Sequence, residues 1–138
     1  MDAKLKHLEF IQGVVNRLAS ASFRMKGWSV VLVSALLVLL ARSDQGSATL
    51  LVVLMPVAMF WALDGYFLSQ ERRFRRLYDH VRALADDEID FSMQDPATTP
   101  HRPFRRWFAA TCSTTLLLFH GGLVAFALLV AWHIGGSR

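Results

Sequence analysis

The sequence predicts an all-α membrane protein with three transmembrane helices, the first two extended into a cytoplasmic antiparallel helical hairpin. Three observations carry this reading. Hydrophobic residues make up 54% of the 138 and charged residues only 19%, gathered into blocks rather than spread along the chain as in a soluble domain. The runs Trp28 to Ala41, Ala48 to Leu68 and Trp107 to Ile134 are almost free of charge. The last two reach the roughly 20 residues a helix needs to cross a bilayer. Beyond the first two runs, apolar residues continue at helical spacing into charged flanks.

The first element begins with Leu5, Leu8, Ile11, Val15, Leu18 and Met25, a helical period that enters the first apolar run without a proline. One helix is expected from Lys4 to about Ala41. Its cytoplasmic part is residues 4–24 and its membrane part residues 25–41, long enough if Lys26 snorkels its ammonium toward the headgroups. A break near residues 20–26 is the alternative, because Gly27, Ser20, Ser22 and Ser29 weaken helix propensity. The charged, amphipathic start does not resemble a cleavable signal peptide, so the helices are expected to remain in the mature chain.

The second element spans the membrane over residues 48–69, with Pro56 expected to kink it without breaking it. Its stripe continues through Phe74, Leu77, Tyr78, Val81 and Leu84, which extends the helix over 70–85. Joined by the short turn Ser43 to Ser47, the two long helices must lie antiparallel, so residues whose numbers sum to about 90 stand at one height. That register sets Lys26 beside Asp64, Glu9 beside Arg82, and Lys4 beside Asp86 and Asp87. Residues 86–103, with Pro96, Pro100 and Pro103, read as a linker returning from a tip on the order of 25 Å from the membrane. Residues 104–138 hold the third span and a short external tail. The span opens on an aromatic and basic anchor, Phe104-Arg105-Arg106-Trp107, and Trp28 and Trp132 mark other interfaces.

Orientation follows from the basic residues. Five lie on the N-terminal arm and eight between the second and third spans, against Arg42 and Arg138 on the other side. The positive-inside rule places the N-terminus and the hairpin in the cytoplasm and the C-terminus outside. The location expected is therefore a membrane, with the hairpin on its cytoplasmic side.

Few residues carry candidate chemistry. Asp64 is the only acidic residue inside a span, and it either pairs with Lys26 or serves an ion or proton role. His120 lies near the middle of the third span, as a helix–helix hydrogen bond or a gate. Cys112 is the sole cysteine and reads as a small packing residue. Small residues spaced four apart, Ala109 with Ser113 and Gly121 with Ala125, permit close backbone approach. Ser113, Gly121 and Ala125 are therefore candidates for packing against the chain's own hairpin or for a homo-oligomer interface. His7, His80, His101 and His133 have no metal-ligand spacing, so no metal and no cofactor are expected. An enzyme is not expected, since no nucleophile and base pair appears. The arginines Arg72, Arg73, Arg75 and Arg76 suit anionic lipid headgroups. Alternatively, Arg72, Arg73 and Arg76 bind the phosphate of a nucleotide together with Asn16, Arg17 and Tyr78, the tyrosine stacking on the base. Nucleic acid is not expected as a partner, because the basic residues are few and close to the membrane.

The stretch from Lys4 to Gln12, then Asn16-Arg17, Ser22-Phe23 and Lys26-Gly27-Trp28, resembles the N-terminus of a widespread family of small bacterial integral membrane proteins. Phe60-Trp61-Ala62-Leu63-Asp64-Gly65-Tyr66-Phe67-Leu68, with Gln70-Glu71-Arg72-Arg73-Phe74-Arg75-Arg76-Leu77-Tyr78, is similar to that family's other signature. The resemblance covers about residues 4–85. Genes of the family often stand beside genes for TIR-domain proteins in anti-phage defence loci. It implies an oligomeric membrane effector of abortive infection, triggered by a nucleotide second messenger or a partner protein, that disrupts the inner membrane as a channel or pore. A reading of another class is a non-conducting anchor that recruits a cytoplasmic partner. A holin fits less well, since the common three-span holin has the opposite orientation.

Overall fold

The computed structural model describes residues 2–42, 47–96 and 103–136. The expected turn at Ser43 to Ser47 falls mostly outside the described residues, as do positions 97–102 of the linker. Four helices are described: α1 (Asp2–Arg42), α2 (Ser47–Ala83), α3 (Pro103–Thr111) and α4 (Thr114–Gly136). The described chain is all-α, and α1, α2 and α4 contain three stretches long and apolar enough to cross a membrane. Within those stretches only 22%, 22% and 17% of the residues are buried against protein. Most of their apolar surface faces outward, as lipid-facing helices require and a soluble core would not tolerate.

Helix α1 runs for 41 residues without the break that its serines and Gly27 made an alternative. Two of the serines have partners that leave the helix intact, one in its own preceding turn and one on α2. Ser29 is fully buried and donates to the Lys26 carbonyl at 2.8 Å, while Ser22 donates to Asp64 of α2. The buried stripe of α1 is His7, Ile11, Val15, Ser22, Ser29, Val33, Leu37 and Leu40, at spacings of three, four or seven. Leu5, expected on that stripe, is exposed, and His7 takes the inward place edge-on to Phe91 at 5.6 Å.

Helices α1 and α2 pack antiparallel in the expected register. Lys26 Nζ meets Asp64 Oδ2 at 2.6 Å, and Lys4 Nζ lies 3.6 Å from Asp86 Oδ1. Glu9 and Arg82 share a height without forming an ion pair. One core lies in the apolar half of the hairpin, where Val33, Leu37 and Leu40 meet Val53 and Val57 and the fully buried Ala127 of α4. A second lies in the arm, built on Ile11, Leu77 and Val81. Ile89 and Met93 pack against it, so residues 86–96 fold back along the arm rather than acting only as a spacer. Asp95, almost fully buried, fixes this return by accepting from Arg76 Nε at 3.2 Å.

The third span departs from expectation. Instead of one helix from the Phe104–Trp107 anchor onward, the chain breaks between Thr111 and Thr114, and the apolar stretch long enough to span is Thr114–Ile134. Side chains occupy the carbonyls at the end of α3. Trp61 Nε1 donates to the Thr111 carbonyl at 2.9 Å, and Thr111 Oγ1 donates to the Trp107 carbonyl at 2.9 Å. The backbone tightens into a bond from Ser113 N to Ala110 O, and α4 restarts with Leu117 N on the Ser113 carbonyl. Cys112 is exposed at this break, not buried as a packing residue.

Candidate functional site

Asp64 lies in the apolar half of α2 with no solvent exposure, and two other helices reach it. From α1, Lys26 donates to Oδ2 at 2.6 Å and Ser22 donates to Oδ1. Lys26 and Ser22 are one turn apart, and Lys26 also donates to Ser22 Oγ at 2.9 Å, so the two form a single polar edge of α1. From α4, His120 Nε2 lies 3.1 Å from Oδ2. Oδ2 of a carboxylate can only accept, so the proton of that bond belongs to Nε2. Nδ1 is buried and has no hydrogen-bond partner among the described residues. The Trp61 ring stacks on the imidazole at 5.8 Å and 11°, and Phe119 meets it edge-on at 5.0 Å. The centre therefore holds one carboxylate, one ammonium and one imidazole in apolar walls, and it joins α1, α2 and α4.

The neighbouring seam holds α3 against α2. Trp61 and Trp107 exchange bonds across it, Trp61 to the Thr111 carbonyl and Trp107 Nε1 to the Ala62 carbonyl at 2.9 Å. Trp107, expected as an interfacial marker, is thus a docking residue. Gly65 makes the seam possible: a Cβ there would overlap Thr111 Oγ1 and stand 3.0 Å from Thr111 Cα.

Lys26, Asp64 and His120, expected as intramembrane polar groups, are brought together. Ser22 and Trp61 were not singled out from the sequence. Each lies one turn from a member of the centre, Ser22 from Lys26 and Trp61 from Asp64, and that spacing was the available signal.

The six residues expected at a nucleotide site are not brought together. Asn16 and Tyr78 share a groove of about 360 Å³ with Leu5, Leu8, Glu9, Gln12 and Gly13. Tyr78 also borders a groove of about 240 Å³ with Gln12, Val15, Arg75 and Asp79. Arg72 and Arg76 line a different groove of about 180 Å³ with Ser69, Arg106 and Ala109. Arg17 is exposed and lines none of these. Arg73 is half-buried, with its guanidinium 5.5 Å above the Phe74 ring and its Nε without a hydrogen-bond partner. Helix geometry separates them, because Arg72 and Arg76 are one turn apart on one flank while Tyr78, two residues on, points away from it.

Nor do Gly121 and Ala125 make the tight helix contacts expected of them within one protomer. A Cβ on Gly121 would meet nothing within 4 Å, and Ala125 is exposed. The small residues that pack within the chain are Gly65, Ala110 and Ala127. Ser113 keeps a buried hydroxyl without a hydrogen-bond partner.

Among the described residues no three His, Cys, Asp or Glu side chains are grouped to hold a metal ion. Comparison with family models, curated proteins and solved structures finds no match for this chain. Fold and site together define an all-α protein with three membrane-length apolar helices that meet at a buried carboxylate.

Proposed function

We propose that the chain is the membrane effector of a bacterial anti-phage system, acting as an oligomer in the inner membrane with its arm in the cytoplasm. A nucleotide signal or a partner protein is received at the arm, and the spans rearrange to disrupt the membrane. The observation that carries this reading is Asp64, fully buried and held from two other helices. An anchor needs only apolar spans, whereas an ionisable group inside them is costly and is kept for a task. Both helices of the arm run unbroken into the apolar half, so a displacement of the arm moves Lys26 against Asp64 directly. Separating that pair in lipid leaves two uncompensated charges, and the state that follows is stable only if water or a second copy reaches them. The signal acts through its differential affinity for the two states.

The test is membrane potential, followed with a voltage-sensitive dye in cells carrying the chain with and without its genomic neighbour. Depolarisation on triggering, absent in cells lacking either gene, is the expected result. Asp64→Asn is expected to remove the dependence on the trigger. The second reading, a non-conducting anchor for a cytoplasmic partner, rests on the basic surface of the arm. It takes over if the potential stays constant under triggering while the partner still collects at the membrane.

A further inference from the structure

The groove between α2 and α3 joins Arg72 and Arg76 to an arginine from the far side of the linker, Arg106, with Ser69 at its inner end. We propose that it binds the phosphate of an anionic lipid headgroup. The three guanidiniums come from two helices whose relative position is fixed by the reciprocal tryptophan bonds and by Gly65, so the site is assembled by the fold and not by sequence proximity. Arg76 is held by buried Asp95, which sets its guanidinium in place. Guanidinium forks match phosphate oxygens in pairs, and the Ser69 hydroxyl adds a polar group beside them.

Position selects the lipid over a soluble phosphate. Ala62, bonded to the indole of Trp107, lies in the apolar half of α2, and Ser69 and Arg72 follow it by about 10 and 15 Å along the helix axis. The groove therefore starts where the apolar stretch gives way to charge, at headgroup height. On another flank of α3 the exposed Phe104 and Phe108 stack on one another with centroids 6.4 Å apart, as side chains entering the acyl boundary do. A helix lying with its aromatic rings in lipid and Arg106 on its opposite side presents this groove to headgroups.

This inference is independent of the effector reading, since an anchor would use the same site. The experiment is native mass spectrometry of the full chain in mild detergent with added phosphatidylglycerol, compared with phosphatidylcholine. The chain is expected to retain phosphatidylglycerol preferentially. R72Q combined with R106Q should cut the bound fraction at least fivefold, while R105Q, a charge change of the same kind just outside the groove, leaves it within twofold. Circular dichroism of each variant establishes that the helices are intact. Equal loss in R105Q, or retained binding in the double variant, overturns the site in favour of diffuse attraction. Displacement of the lipid by millimolar inorganic phosphate overturns the lipid assignment in favour of a free phosphate ligand.

Discussion

Asp64 illustrates how a single residue can be supported by partners and still be a liability. Its oxygens accept from Lys26, Ser22 and His120, so removing the charge leaves the Lys26 ammonium without its counter-ion and with the Ser22 hydroxyl as its remaining partner. Asp64→Asn should lower stability by about 3–5 kcal/mol, the cost of breaking a buried pair by one partner. Replacing both members, Lys26→Met with Asp64→Leu, should recover most of that loss. Unfolding in a detergent and denaturant series measures both, and a double variant no more stable than Asp64→Asn would show that the pair contributes more than charge compensation. His120→Ala should cost less, about 1 kcal/mol, in line with hydrogen bonds measured inside membranes.

At the scale of the elements, the docking of α3 rests on the absence of a side chain at Gly65. Gly65→Ala should force α3 away from α2 and destabilise the fold by about 1–3 kcal/mol, as overpacking does. Gly121→Ala has open space around it and should be neutral within one protomer. Alkylation of Cys112, exposed at the break, offers a readout of the seam: its rate should change in the Gly65 variant and stay constant in the Gly121 variant. The fold-back after α2 has its own test. Asp95→Asn releases Arg76, and limited proteolysis within residues 86–96 should become severalfold faster. The hairpin and its register were legible because helical period and opposite charges repeat over many residues, and Lys26–Asp64 and Lys4–Asp86 both obey one offset. The break at Cys112–Ser113 was not legible, since no proline or glycine marks it; it coincides with a carbonyl taken by the distant Trp61 and another taken by the Thr111 hydroxyl one turn on. The fate of the arginines was hidden for a similar reason. Proximity in sequence grouped Arg72 with Arg73, while the fold groups it with Arg106.

On the scale of the whole molecule, three helices long and apolar enough to cross a membrane would put the two termini on opposite sides of it. The distribution of basic residues predicts that the N-terminus is the inside one. Single cysteines introduced at Ala3 and at Ser137 in a Cys112→Ser background should therefore differ in labelling by an impermeant reagent applied to intact cells, with only position 137 reacting. The reverse pattern would move the arm outside and remove any cytoplasmic signal from the proposed function. The Gly121 and Ala125 face bears on copy number. With nothing among the described residues within 4 Å of a Cβ at Gly121, Gly121→Leu should leave a monomer intact, and a smaller particle in light scattering would assign that face to contact between copies.

The ion pair between the first two spans also constrains how the protein is made. A charged residue costs up to about 2.5–3.5 kcal/mol at the centre of a lone helix and less toward its ends, so the pair of Lys26 with Asp64 favours entry of α1 and α2 together over release one at a time. His120 arrives only when α4 has been synthesised. Until then the carboxylate has the partners supplied by α1 alone, and the nascent hairpin is expected to wait at the insertion machinery one hydrogen-bond partner short. A ribosome-stalled chain ending before the third span should therefore remain crosslinkable to that machinery, and release should coincide with the emergence of His120.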